Sequence, residues 1–252
     1  MTPDSPTPYF SLRGVETSLG GRAVLRGIDL DIPAERTTVV LGGSGTGKSV
    51  LLKHLNGLIR PDAGSIRING EEITGRNEGD LAPLRRRIGF VFQDGALFDS
   101  LTVSDNLLFP LREYGETDEE KLRRTLNRLL DQIELRGESE KLPSGLSGGM
   151  KKRAALARAL VAQPECLLCD EPTAGLDPIL SETVARLIRD TVRGEKLTSV
   201  VVTHDLGAME IVADHVVFLH QGEVLFEGTL DELRKSDQSR IREFLSARAG
   251  GG

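Results

Sequence analysis

Long apolar runs are missing from this chain of 252 residues. A helical membrane span needs ~20 consecutive apolar residues. The longest runs here, such as 215-HVVFL-219 and 199-SVVVT-203, suit buried strands instead. Any membrane role therefore has to pass through partners. Cysteine is scarce, at two residues, and the opening 1-MTPDSPTPYF-10 is Pro-rich and polar, unlike a secretory signal. Both point to a reducing compartment. An excess of positive charge is also lacking: 32 Lys and Arg stand against 38 Asp and Glu, a net charge of −6. Nucleic-acid binders carry a basic field, so nucleic acid is not expected as a partner. Internal repeats, sustained heptads and long linkers are absent as well. The length suits one large α/β domain or two small ones.

The segments present have a clear order. The stretch 9-YFSLRGVETSLGGRAVLRGIDLDI-32 alternates apolar and polar residues around Gly20–Gly21 and reads as antiparallel strands. The run 37-TTVVL-41 fits a strand buried on both faces. A helix is expected from Lys48 to Leu58, then a strand pair over Ser65–Asn69 and Ile88–Phe92. The middle reads as helical. Thr117 and Glu120 form a capping-box pattern, and Leu122, Leu126, Leu129, Leu130 and Ile133 fall on one helical face. A further helix covers 147–162. Strands at 165–170, 197–203, 215–220 and 223–228 then alternate with helices over 179–193 and 206–213. That alternation argues for a mostly parallel sheet, interrupted by a helical block at about 94–162. The tail, 231–247, reads as one amphipathic helix, with a frayed end over 247–252.

The chemistry starts at 42-GGSGTGKS-49, which fits G-x-x-x-x-G-K-[ST] between an apolar strand and a helix. Such glycines turn backbone N–H groups inward around phosphates; Lys48 would reach the β/γ-phosphates and the Ser49 hydroxyl a Mg²⁺ ion. The alternative is a chance Gly-rich turn, which this context disfavours. In 166-CLLCDE-171, Asp170 at a strand end can hold the magnesium shell, and Glu171 is placed to polarise a water. An acidic strand end facing solvent is the plain alternative. His204 closes 200-VVVTH-204 and can contact a γ-phosphate or hold the attacking water, or be a surface His; Gln93 follows 88-IGFVF-92 and can sense the metal or water, or be an ordinary loop amide. A second glycine-rich helix start lies at 144-SGLSGGMKKRAALARAL-160. Ser147, Gly148 and Gly149 there offer free N–H groups and a positive dipole end. The first loop already cradles the chain's own nucleotide, so the second can serve a nucleotide bound to another copy.

In this order, 42-GGSGTGKS-49, Gln93, 146-LSGGM-150, 166-CLLCDE-171, 174-AGLD-177 and His204 resemble the ATP-binding subunits of ABC transporters over nearly the whole chain. The resemblance implies a P-loop NTPase (RecA-like) α/β core. To that core it adds an N-terminal antiparallel β subdomain and an inserted helical subdomain, within one domain over 8–246. It implies ATP contacts at Gly42, Gly43, Ser44, Gly45, Thr46, Gly47, Lys48, Ser49 and Val50. Mg²⁺ contacts fall at Ser49, Gln93 and Asp170. Catalytic roles fall to Glu171 as general base, His204 and Gln93. A head-to-tail dimer would add Ser147, Gly148, Gly149 and Asp177 from the second copy.

A narrower resemblance, in 93-QDGALFDSLTVSDNLLFPLRE-113 and 147-SGGMKKRAALARAL-160, is to Mla/Mce-type lipid-transporter ATPases. It implies integral membrane permease partners, a Mce-type lipid-binding subunit, phospholipid as cargo, and a peripheral place on the cytoplasmic face of the membrane. Two departures stand out. The place where the family usually has an adenine-stacking aromatic falls to Leu19, and the C-terminal tail is short. A soluble assembly factor of the iron–sulfur type is the alternative function. A GTPase ranks last, because no N-K-x-D motif occurs.

Three features compete with bland readings. In a strand, Cys166 and Cys169 point to opposite faces, so core packing is favoured over zinc or redox chemistry. The run 151-KKR-153 reads as a solvated helix face. Ala96, Leu97, Phe98, Leu101 and Val103 are either internal packing or a docking groove.

Overall fold

A computed structural model describes residues 8–249. Its first layer is an antiparallel sheet. Strands β1 (Pro8–Leu19) and β2 (Arg22–Pro33) form a hairpin through Gly20 and Gly21. Strands β4 (Ala63–Ile68) and β5 (Glu71–Glu72) extend it in the order β2-β1-β4-β5. The second layer is a six-stranded sheet ordered β10-β9-β3-β8-β7-β6. It holds β3 (Thr37–Leu41), β6 (Ile88–Val91), β7 (Cys166–Asp170), β8 (Thr198–Thr203), β9 (His215–His220) and β10 (Glu223–Gly228), with only β10 antiparallel to its neighbour. Strands β3, β7 and β8 are buried along their whole length, as strands covered on both faces must be.

Helix α1 (Lys48–Leu55) packs between the two sheets, burying Leu51, Leu52 and Leu55 with Phe10, Leu12, Ile66 and Val40. The other face of the parallel sheet is covered by α5 (Gly148–Leu160), α6 (Pro178–Glu195) and α7 (Leu206–Val212). Cys166 belongs to the first of these cores and Cys169 to the second, so the two thiols do stand on opposite faces. Burial raises both thiol pKa values far above the ordinary range. Helices α3 (Val103–Glu113) and α4 (Glu119–Gln132) form the inserted helical block together with α5.

Several expectations are corrected. Ser65–Asn69 and Ile88–Phe92 are not paired: β4 lies against β1 and β6 against β7, in different sheets. Their burial shows why. In β4 the residues toward its end alternate between buried and exposed, whereas in β6 three of four are buried. The cap of α4 is Asp118, whose carboxylate accepts from the N–H groups of Glu120 and Lys121; a charge beside the helix dipole suits this position better than Thr117. Helix α1 ends at Leu55. Helix α2 (Glu78–Arg85), capped by Asn77, was not anticipated. The tail forms two helices, α8 (Leu230–Lys235) and α9 (Ser239–Ala249), because Ser236 is extended. Thr229 and Glu232 start α8 with a capping box. Ile241 is buried and Phe244 meets the Phe218 ring edge-on at 5.1 Å, which pins α9 to the core. Helix α9 runs through Ala249, past the expected start of fraying; residues 250–252 lie outside those described.

Candidate functional site

The carboxyl ends of β3, β7 and β8 converge, as ligand sites in open α/β sheets do. The loop after β3 turns through Gly42–Gly47 into α1. Gly47 has φ 104, and a Cβ there would stand 2.8 Å from Leu25 Cδ2; a Cβ on Gly42 would stand 2.4 Å from the Leu219 carbonyl oxygen. No larger residue fits either place. The loop closes on itself: Thr46 Oγ1 donates to the Gly43 carbonyl at 3.0 Å. Lys48 Nζ donates to the carbonyls of Gly42 (3.0 Å) and Gly43 (2.9 Å).

Beside the loop stands an acidic pair. Ser49 Oγ donates to Asp170 Oδ1 at 2.8 Å. Burial holds the Asp170 carboxyl above its usual pKa, opposed by the Ser49 hydrogen bond and reinforced by the Glu171 charge. Glu171 is buried, with Oε1 3.9 Å from Lys48 Nζ. Its backbone has φ 46, a left-handed conformation worth on the order of 1–3 kcal/mol of strain in a residue with a side chain. Hydrogen bonds hold it there. Its N–H donates to the Val202 carbonyl at 2.9 Å, and its Oε1 lies 2.9 Å from His204 Nδ1.

An open cleft of about 440 Å³ joins these groups. Ser44, Gly45, Thr46, Gly47, Lys48, Ser49, Val50, Gln93, Glu171 and His204 line it, together with Leu19 and Val24. Gly42 and Gly43 sit beneath it as acceptors for Lys48, and Asp170 joins through Ser49. Gln93 is held from behind: Lys152 Nζ donates to its carbonyl, and Arg158 donates to the carbonyls of Gly95 (2.9 Å) and Ala96. Burial lowers the pKa of both cations, Lys152 and Arg158. Both come from α5, so 151-KKR-153 is not wholly a solvated face. Neither anchor was visible in the sequence, where a Lys or Arg in a polar helix reads as solvent-facing.

Ser147, Gly148, Gly149 and Asp177 do not line this cleft. They form a second surface. Ser147 caps α5, accepting from the Met150 N–H at 3.3 Å. Asp177 caps α6, accepting from Ile179 and Leu180 N–H at 3.0 Å each. The two caps adjoin: Cβ atoms on Gly148 and Gly149 would stand 3.3 Å from Leu176 and Leu180 side chains. Ile179 beside them is 78% exposed.

The apolar string after Gln93 divides. Val103 is core, Leu97 packs partly against it, and Ala96 and Phe98 are exposed. Phe98 rests on Phe109 at 4.7 Å. Buried Asn106 fixes this loop, accepting from the Phe98 N–H at 2.7 Å and donating to the carbonyls of Phe98, Leu101 and Thr102.

A phosphate loop at the switch point of a parallel sheet, with a carboxylate pair across it, defines a P-loop NTPase. Residues 25–174 match the family described as ABC transporter, and the chain belongs to that family. It is 41% identical to the probable ribonucleotide transport ATP-binding protein mkl of Mycobacterium leprae, over 95% of this chain and 69% of that one. It is 37% identical to the intermembrane phospholipid transport system ATP-binding protein MlaF of Escherichia coli, over 95% and 89%. Among solved structures it resembles the dimeric ATP-binding cassette MJ0796 in a post-hydrolysis state bound to ADP and Pi. The TM-score is 0.80 at 31% identity, covering 88% of this chain and 98% of that one. It also resembles cbiO1 of Clostridium perfringens, part of the cbiONQ ABC transporter complex, with a TM-score of 0.82 at 28% identity over 96% and 99%. The protein is an ATP-binding ABC ATPase with the fold expected from its sequence.

Proposed function

We propose that ATP hydrolysis in this cleft powers phospholipid movement through separate membrane permease subunits. The observation that carries the catalytic half is Glu171, buried at the rim of the cleft and tied to His204. There it accepts the proton of an attacking water, with His204 orienting it and Gln93 facing the same space. Lys48 moves from the loop carbonyls to the β/γ-phosphates when nucleotide enters, and residues 42–50 wrap the phosphates.

Among the described residues no group of three or more His, Cys, Asp and Glu could hold a metal. The Ser49–Asp170 oxygen pair nevertheless fits a hard cation that takes its other ligands from phosphate and water. Ser49, Asp170 and Gln93 would hold Mg²⁺, whose charge when bound offsets that of the phosphate oxygens. The exposed Ser147, Gly148 and Asp177, with Gly149 behind them, complete the site of a second copy, head to tail. The dimeric form of the similar cassette supports this arrangement.

The phospholipid cargo is supported by the transport system of the MlaF relative, as its name gives it, and by the stretch 93–113. A permease helix seats on Phe98 and Ala96, which places the protein at the cytoplasmic face of the membrane, with a Mce-type subunit as a further partner. Among the described residues no helix is long and apolar enough to cross a membrane. The test is reconstitution with a candidate permease in vesicles carrying labelled phospholipid, after co-purification has shown that the two associate. Wild type should move lipid with ATP, and Glu171→Gln should not. Movement of ribonucleotide instead, the cargo for which the mkl relative is named, would replace the lipid reading. Failure to bind any membrane protein would restore the assembly-factor reading.

A further inference from the structure

The second oxygen of Glu171 has its own holder. Thr203, the last residue of β8, is fully buried and lines no part of the cleft. Its hydroxyl lies 3.3 Å from Glu171 Oε2 and 3.0 Å from the Asp205 N–H. The Asp205 N–H is a donor, so the single hydroxyl proton is free to go to Oε2. The His204 N–H also reaches Oε2, at 3.3 Å. Asp205 is itself fixed, its carboxylate accepting from Thr173 Oγ1 at 3.2 Å and from the Ala208 N–H at 3.1 Å. The hydrogen bonds therefore close a ring: Glu171 to Thr203, Thr203 to Asp205, Asp205 to Thr173, and back through two residues of backbone. Glu171 needs such a ring, since its left-handed φ makes other conformers locally cheaper.

We infer that Thr203 is a positioning residue for the reaction: its hydroxyl fixes Oε2 so that Oε1 faces the cleft and the attacking water. This rests on Glu171 being the general base. Thr203 touches no nucleotide, so its loss acts on turnover and not on binding. A hydrogen bond to a charged group sets the scale, and its removal should lower kcat by about tenfold or more.

The experiment compares steady-state ATPase kinetics and ATP affinity for Thr203→Val, Thr203→Ser and wild type, with melting temperatures measured alongside. Valine keeps the volume and removes the donor; serine keeps the donor. The expected result is a roughly tenfold loss of kcat for Thr203→Val with KM within about twofold. Thr203→Ser should recover most of the rate. In a Glu171→Gln background, Thr203→Val should add no further loss, because the group it positions is gone. If Thr203→Val does not fold, a serine variant with wild-type kcat beside a folded Thr203→Ala variant with the loss supports the assignment equally. Three results overturn it: full kcat in Thr203→Val, a serine variant as slow as valine, or an equal further loss in the Glu171→Gln background. Near-normal turnover in Glu171→Gln alone would instead remove the base reading, and the two failures are distinguishable.

Discussion

Two helix N-termini in this protein are built from similar residues and finished in opposite ways. At α1 the glycine loop is walled in by Leu25, Leu219 and two buried carboxylates, and its lysine is buried. At α5 the serine and first glycine are exposed, and the serine oxygen accepts from its own helix. The first start carries every charge that phosphate chemistry needs. The second carries a hydroxyl, N–H groups and a dipole, and the acid that adjoins it, Asp177, is engaged in capping α6. In the composite site proposed here, one half performs the chemistry and the other completes the enclosure.

The sharpest way to break that division is to remove the base from the first half. Glu171→Gln should keep ATP binding and lose ~10²–10⁴-fold in turnover, as loss of a positioned general base does. Measured by phosphate release, near-normal activity would put the chemistry elsewhere. The next effect tests both halves together. A Lys48→Ala copy mixed with a Ser147→Ala copy should regain activity that neither homodimer has, because one intact composite site remains per heterodimer. Ser147→Ala also removes a helix cap, at about 1 kcal/mol, so Ser147→Asn serves as the control that keeps the cap. A Ser147→Ala homodimer with full activity would end the idea of a shared site.

Much of the first half was readable in the sequence, because 42-GGSGTGKS-49 and 166-CLLCDE-171 carry their chemistry in local spacing. The left-handed Glu171 was not readable, since its strain is held by β8, more than thirty residues away. Nor were the anchors Lys152 and Arg158, whose acceptors are backbone carbonyls about sixty residues off. The parallel sheet was visible from its unbroken apolar strands. The mispairing of 65–69 with 88–92 arose because both stretches carry strand signals while only their burial shows that they enter different layers.

A smaller effect tests the docking side of the helical block. Phe98→Asp should leave ATP affinity unchanged and abolish co-purification with the membrane fraction, since Asn106, not Phe98, fixes the loop. Retention at the membrane would show that the permease grips another surface. The smallest effect is expected at Leu19, where the family resemblance puts the adenine. Leu19 is 45% exposed and, with Val24, supplies only aliphatic contact. Leu19→Tyr should tighten ATP binding by a part of the ~1–3 kcal/mol that aromatic stacking on a base supplies. Titration with a fluorescent ATP analogue measures it, and unchanged affinity would mean that the base is held elsewhere.

The burial of both cysteines has a practical consequence for these experiments. A thiol reacts through its thiolate, and burial raises the pKa of Cys166 and Cys169 far out of reach at neutral pH. Both side chains are also fully enclosed, so the folded protein should not label with maleimides, which a mass measurement after treatment checks. One cysteine introduced at Ile179, the most exposed apolar side chain beside the second helix start, would be its only reactive thiol. A dye placed there reports directly whether two copies close over ATP, by being shielded from quencher only when nucleotide is bound.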